Sequence, residues 1–95
     1  MRGRRIPRPF SMHWGSGFII EEASFVGEYH EPCIQLLEFT EGEAKGSMSV
    51  RFCYYSHDGR FQRSPLMMSA EEVEGLTDAL REAPKLRALL RKMVD

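Results

Sequence analysis

The chain has 95 residues, 42% of them hydrophobic and 11% aromatic, with a formal net charge of −1. This length sets one domain, the composition excludes a disordered chain, and no apolar run reaches the roughly 18 residues that span a membrane. The opening MRGRRIPRPF carries charge with no apolar stretch behind it, so no secretory signal is expected and the protein is placed inside the cell, in cytoplasm, nucleoid or nucleus.

Charge is unevenly spread. Residues 1–20 hold Arg2, Arg4, Arg5 and Arg8 and no acid, whereas residues 21–95 carry nine basic and fourteen acidic groups. Residues 1–16 are rich in Arg, Pro, Gly and Ser and lack either hydrophobic period, which predicts a flexible basic arm ahead of a single domain over 17–95. Such an arm suits contact with phosphates, or it serves only solubility. Cys33 and Cys53 are too few for a disulfide framework, and free thiols are expected in an intracellular chain.

From Gly17 the texture changes to short β-type runs, Gly17 to Ile20 and then Ser24 to Tyr29, before Pro32. Cys33 to Thr40 reads as a strand with Ile34 and Leu36 on one side and Gln35, Leu37 and Phe39 on the other. Glu41 to Gly46 is a turn. Met48 to Tyr55 alternates cleanly, with Met48, Val50, Phe52 and Tyr54 on one face and Ser49, Arg51, Cys53 and Tyr55 on the other. Asp58-Gly59 is a hairpin signal, and Arg60 to Met68 reads as a returning strand with Pro65 marking an edge or bulge. Ser69-Ala70-Glu71-Glu72 is a capping box, and Val73, Leu76, Leu80 and Ala83 follow at helical spacing. Pro84 has no amide proton and crowds the Leu80 carbonyl, so the helix kinks or ends there; Leu86, Leu90 and Met93 continue the stripe beyond it.

Strands followed by a helix define an α+β domain in which the helix covers one sheet face. Alternation assigns Ile34, Leu36, Val50, Phe52 and Tyr54 to the helix side. The opposite face then presents Phe39 and Tyr55 as stacking planes for bases and Arg51 as a phosphate contact, with Lys45, Arg60 and Arg63 extending the positive track. This is the equipment of sequence-tolerant single-strand binding. The same face serves equally well as a dimer interface, or is buried by the N-terminal segment.

From Cys33 onward the chain resembles the transcriptional coactivator family typified by positive cofactor four, which binds single-stranded DNA. The stretches IQLLEF and SVRFCYYSHDGRFQRSPLMMSAEEVEGL carry the resemblance, over about two-thirds of the chain. It implies a four-stranded antiparallel curved sheet with a C-terminal helix kinked or broken near Pro84, Phe25 to Tyr29 as the first strand, and a homodimer. The implied partners are single-stranded DNA or RNA and the transcription machinery. By position it carries stacking roles to Phe39 and Tyr55 and basic contacts to Arg51 and Arg63; the arginines of the arm, Arg2, Arg4, Arg5 and Arg8, add to them. Two features depart from the family: Glu41 and Glu43 in a turn that is basic in the family, and Pro84 in its long helix.

Other chemistry is thinner. His30, Cys33, Cys53 and His57 form a two-His, two-Cys set of the kind that holds zinc, and they converge if Phe39 pairs with Ser49 and Cys33 lies opposite Tyr55. Zinc pairs favour tight knuckles, however, and these cysteines lie along strands, so no metal or cofactor is assigned. No nucleophile elbow, Walker loop or glycine fingerprint is present, and no enzyme activity is expected. The alternative to nucleic-acid binding is a protein-interaction module of the same fold.

Overall fold

Short alternating segments punctuated by glycine and proline build five strands. The structure, a computed structural model, describes residues 4–62 and 65–95. The strands are β1 (Arg8–Met12), β2 (Gly15–Ser24), β3 (Glu31–Gly42), β4 (Met48–Tyr55) and β5 (Leu66–Ser69). They form one sheet in the order β1-β2-β3-β4-β5, every neighbouring pair antiparallel. Two helices follow, α1 (Ala70–Arg81) and α2 (Pro84–Val94). The α+β class is as expected, with five strands where four were implied, β1 being the unforeseen one.

That strand comes from the segment read as a flexible arm. β1 pairs with β2 through a turn at His13-Trp14, with Phe10 opposite Gly17. β2 approaches β3 so closely there that a Cβ on Gly17 would fall 1.9 Å from the Glu38 carbonyl oxygen. Phe10 and Phe39, which pair with Gly17 from either side, meet edge-on, ring centroids 5.0 Å apart. Phe10, Ile19, Leu37 and Phe39 form the main apolar core, with Met12, Ala44 and Met67 against it. The N-terminal segment has no clear hydrophobic period because β1 inserts only one large apolar side chain, Phe10, fully into that core.

A further expectation is corrected. Phe25 to Tyr29, implied as a first strand, is instead the link between β2 and β3, closed by the Phe25 N–H to the Pro32 carbonyl and the Gly27 N–H to the His30 carbonyl. Of the returning strand from Arg60, the described residues form a bridge between Phe61 and Tyr55 and then β5 from Leu66.

The register decides which side chains share a face. β3 and β4 pair so that Cys33 meets Cys53, Gln35 meets Arg51 and Glu31 meets Tyr55, two residues away from a register that sets Cys33 against Tyr55. A bulge at Ile20 shifts the pairing of β2, so that Ile19 and Glu22 both point to the same face. Ile19 joins the apolar core, while Glu22, Gln35 and Arg51 form a polar row beside it.

The capping box forms as the sequence implies: the Glu72 N–H donates to Ser69 Oγ at 3.1 Å, and the Ser69 N–H donates to Glu72 Oε1 at 2.9 Å. α1 ends at Arg81 and Pro84 is the first residue of α2, with Glu82 and Ala83 between them. Neither helix buries a single residue.

Candidate functional site

The face bearing Phe39, Arg51 and Tyr55 is closed, which corrects the expectation of an open binding surface. Phe39 is 2% exposed, Tyr55 7% and Arg51 8%. The closure is chemical as well as steric. Arg4 reaches across to Glu31 with two bonds, of 2.9 and 3.1 Å, and its guanidinium lies 3.7 Å from the centre of the Tyr55 ring. Arg8 grips Glu22 in the same bidentate way, at 3.0 and 2.8 Å, and also donates to the Tyr55 hydroxyl at 3.2 Å. Gln35 donates to Glu22 at 2.7 Å and to Tyr55 at 3.1 Å, and accepts from Arg51 Nε at 2.7 Å. Phe61 covers the Arg51 guanidinium at 4.7 Å. No buried side-chain nitrogen or oxygen among the described residues lacks a hydrogen-bond partner.

This network explains why acids and arginines tolerate burial: each charge meets a fixed opposite charge or a hydrogen-bonding amide. Glu31 is wholly buried. Burial by itself would push the Glu22 carboxyl up, but the Arg8 guanidinium and then the Gln35 amide outweigh it and hold it below the usual range. Arg8 is in turn held more firmly protonated by its bond to Glu22, against the opposing effect of burial.

The sequence-nominated residues therefore separate. Phe39, Arg51, Tyr55, Arg4 and Arg8 are consumed in the closed face. Lys45 in the β3–β4 turn, Arg5 and Arg60 are exposed, with Arg60 3.6 Å from Asp58. Arg2 and Arg63 lie outside the described residues. Of the two-His, two-Cys set, the cysteines are buried and adjacent, whereas His30 stacks 4.6 Å from Tyr54 and His57 bonds the Gly27 carbonyl at 2.7 Å. No group of three or more His, Cys, Asp or Glu side chains among the described residues is placed to hold a metal.

The helices lie on the other side, where the sequence puts them, but they do not seal it. Ile34, Leu36, Val50 and Phe52 are only half-buried and Tyr54 is exposed. A groove of about 570 Å³ runs between Phe25, Pro32, Ile34, Phe52, Tyr54 and Met93 of α2. A second, of about 350 Å³, continues past Met93 and Val94 to Leu36 and Val50. The helices themselves leave Val73, Leu76, Leu86, Leu89, Met93 and Val94 in solvent, Val94 at 80%. Their charges are opposite: α1 carries Glu71, Glu72, Glu74 and Asp78, and α2 carries Lys85, Arg87, Arg91 and Lys92. The only ion pair formed by a helix residue among the described residues joins Arg81 to Asp78 within α1.

This open apolar surface is the part that sequence reasoning missed. Its signal was present in Leu89 and Val94, which lie beside the expected stripe and widen the apolar surface of α2. A third, more polar cleft brings Tyr54, Arg60 and Phe61 together at the β4 end. Among the described residues no helix is long and apolar enough to cross a membrane. Comparison with known proteins returned no matching family model, curated sequence or solved structure.

Proposed function

We propose that this chain is a protein-interaction module that works as a homodimer, joined through its helical hairpin and the apolar sheet face beside it. The observation that carries the reading is that two amphipathic helices bury no residue and that the second, through Met93 and Val94, lines an open apolar groove. Contiguous exposed apolar surface of this kind marks an association site. A second copy is the favoured occupant because the acidic α1 and the basic α2 are complementary. A two-fold axis sets α1 of one chain against α2 of the other, twice, in a self-complementary contact.

Light scattering coupled to size exclusion tests this. The wild type is expected at twice the chain mass, and Leu89→Glu or Met93→Glu, exposed positions whose change leaves the core intact, is expected to give folded monomer. A wild type that stays monomeric at tens of micromolar overturns the reading.

A second reading, single-strand nucleic-acid binding in the manner of the transcriptional coactivators the chain resembles, is favoured by the cleft at Tyr54, Arg60 and Phe61. Two exposed aromatic rings beside an arginine suit base stacking with a phosphate contact. In this version the platform moves from the closed face to the outer one, with Lys45 and Arg5 as further basic contacts. Fluorescence anisotropy with a labelled oligonucleotide tests it: binding that weakens steeply with salt and falls in Tyr54→Ala and Arg60→Ala supports it, and no binding at low salt removes it.

A further inference from the structure

Cys33 and Cys53 are a pair of thiols that the fold sets face to face and that neither reading of function uses. They are direct partners across β3 and β4 and belong to one buried cluster with Tyr55. The pairing type follows from the ladder. The Phe39 N–H donates to the Ser47 carbonyl at 3.0 Å. Antiparallel pairs alternate between hydrogen-bonded and non-bonded types, so every second pair from there, Cys33–Cys53 included, is of the hydrogen-bonded type, with Cα atoms about 5.5 Å apart. That Cα separation lies in the range of disulfide-linked residues, while the Cβ atoms of a hydrogen-bonded pair, about 5.5 Å apart, must draw about 1 Å closer, so the closed link is strained and readily reduced. Both side chains leave the sheet on the same face, as their common burial shows.

We propose that Cys33 and Cys53 are a cross-strand dithiol that closes to an intramolecular disulfide by exchange with a low-molecular-weight disulfide such as oxidised glutathione, locking β3 to β4. One cysteine, as thiolate, attacks a sulfur of the small disulfide and expels one small thiolate, which takes up the proton the cysteine lost. The neighbouring cysteine, losing its own proton, attacks the resulting mixed disulfide and expels the second small thiolate, which is protonated in turn. The protein gives up two electrons and two protons, and two small thiols carry them away.

The attacking order follows from the surroundings. Burial pushes the Cys33 thiol up to about 11, and its Sγ–H is engaged by the Glu31 carbonyl at 3.6 Å. Burial also raises Cys53, opposed there by Arg51 as Cys33 is by Arg4 and Arg8, but Cys53 is the more exposed thiol, 8% against 3%. Cys53 is the first nucleophile and Cys33 the resolving thiol. Scarce thiolate makes the first step slow, so the pair answers sustained oxidation rather than a brief pulse. The covalent link then fixes the β4 segment that carries Tyr55, the hub of the closed face.

The experiment treats the folded chain with oxidised glutathione and follows intact mass, peptide mapping and thermal unfolding. The expected product has lost two hydrogens, yields a Cys33–Cys53 linked peptide, melts several degrees higher and reverts with dithiothreitol. Cys33→Ser and Cys53→Ser, near-isosteric changes, are expected to show no such rise and at most one glutathione per chain. Glutathione retained on both cysteines of the wild type overturns the proposal. So does linkage between chains, or a folded chain that stays reduced under conditions where the urea-unfolded chain oxidises.

Discussion

The Arg8 side chain makes four hydrogen bonds to three partners, Glu22, Tyr55 and the Arg5 carbonyl, and its removal isolates a carboxylate that is almost fully enclosed. Arg8→Ala leaves Glu22 with the Gln35 amide as its remaining side-chain donor, and breaking a buried pair from one side typically costs about 3–5 kcal/mol. Part of the Arg8 side chain reaches solvent, so a loss of about 3 kcal/mol in urea unfolding is expected. The sign of the pH effect follows from the lowered carboxyl of Glu22. Its contribution is fully present above the unfolded glutamate value of about 4.3 and is lost as pH falls through the lower folded value. Glu22→Gln is therefore expected to flatten the acid side of the stability–pH curve while leaving its neutral-to-alkaline slope unchanged. An acid limb as steep as in the wild type contradicts the assignment.

Within the elements, the capping box is the local device that starts α1, and it acts almost alone because the helix buries nothing. Ser69→Ala removes the acceptor for the Glu72 N–H, and about 1 kcal/mol of stability is expected to go with it. Faster amide exchange confined to the first turn of α1 is the finer readout. The box and an interruption at Pro84 were legible in the sequence, because each depends on atoms within four residues along the chain; that Pro84 separates two helices, not kinks one, was not. The strands were legible only in part. β3 and β4 show their alternation, but the fifth strand hides in an arginine- and proline-rich segment, and the bulge at Ile20 leaves no local mark.

For the whole molecule, the sheet has two unlike faces, one sealed by its own N-terminal segment and one left open beside amphipathic helices. Association that buries the open face links stability to concentration, since a partner binds only the folded chain. The melting temperature is thus expected to rise with protein concentration in the wild type and to be independent of it in Leu89→Glu. A concentration-independent wild type contradicts the dimer.

Alternation along β3 and β4 correctly divided the side chains into two sets, Ile34, Leu36, Val50, Phe52 and Tyr54 against Gln35, Leu37, Phe39, Arg51 and Tyr55. It also placed the helices beside the first set. The sequence by itself determined that partition, the helix start, an interruption at Pro84 and the α+β class, all of which rest on short-range periodicity and steric rules. Only the tertiary structure decided which set is sealed, because sealing depends on contacts between distant residues: Arg4 with Glu31, Arg8 with Glu22, Phe10 with Phe39 across Gly17. Two of the arginines that look like a free basic arm in the sequence, Arg4 and Arg8, are the counter-ions of buried acids, and no local pattern distinguishes a cation that awaits phosphate from one that closes a core.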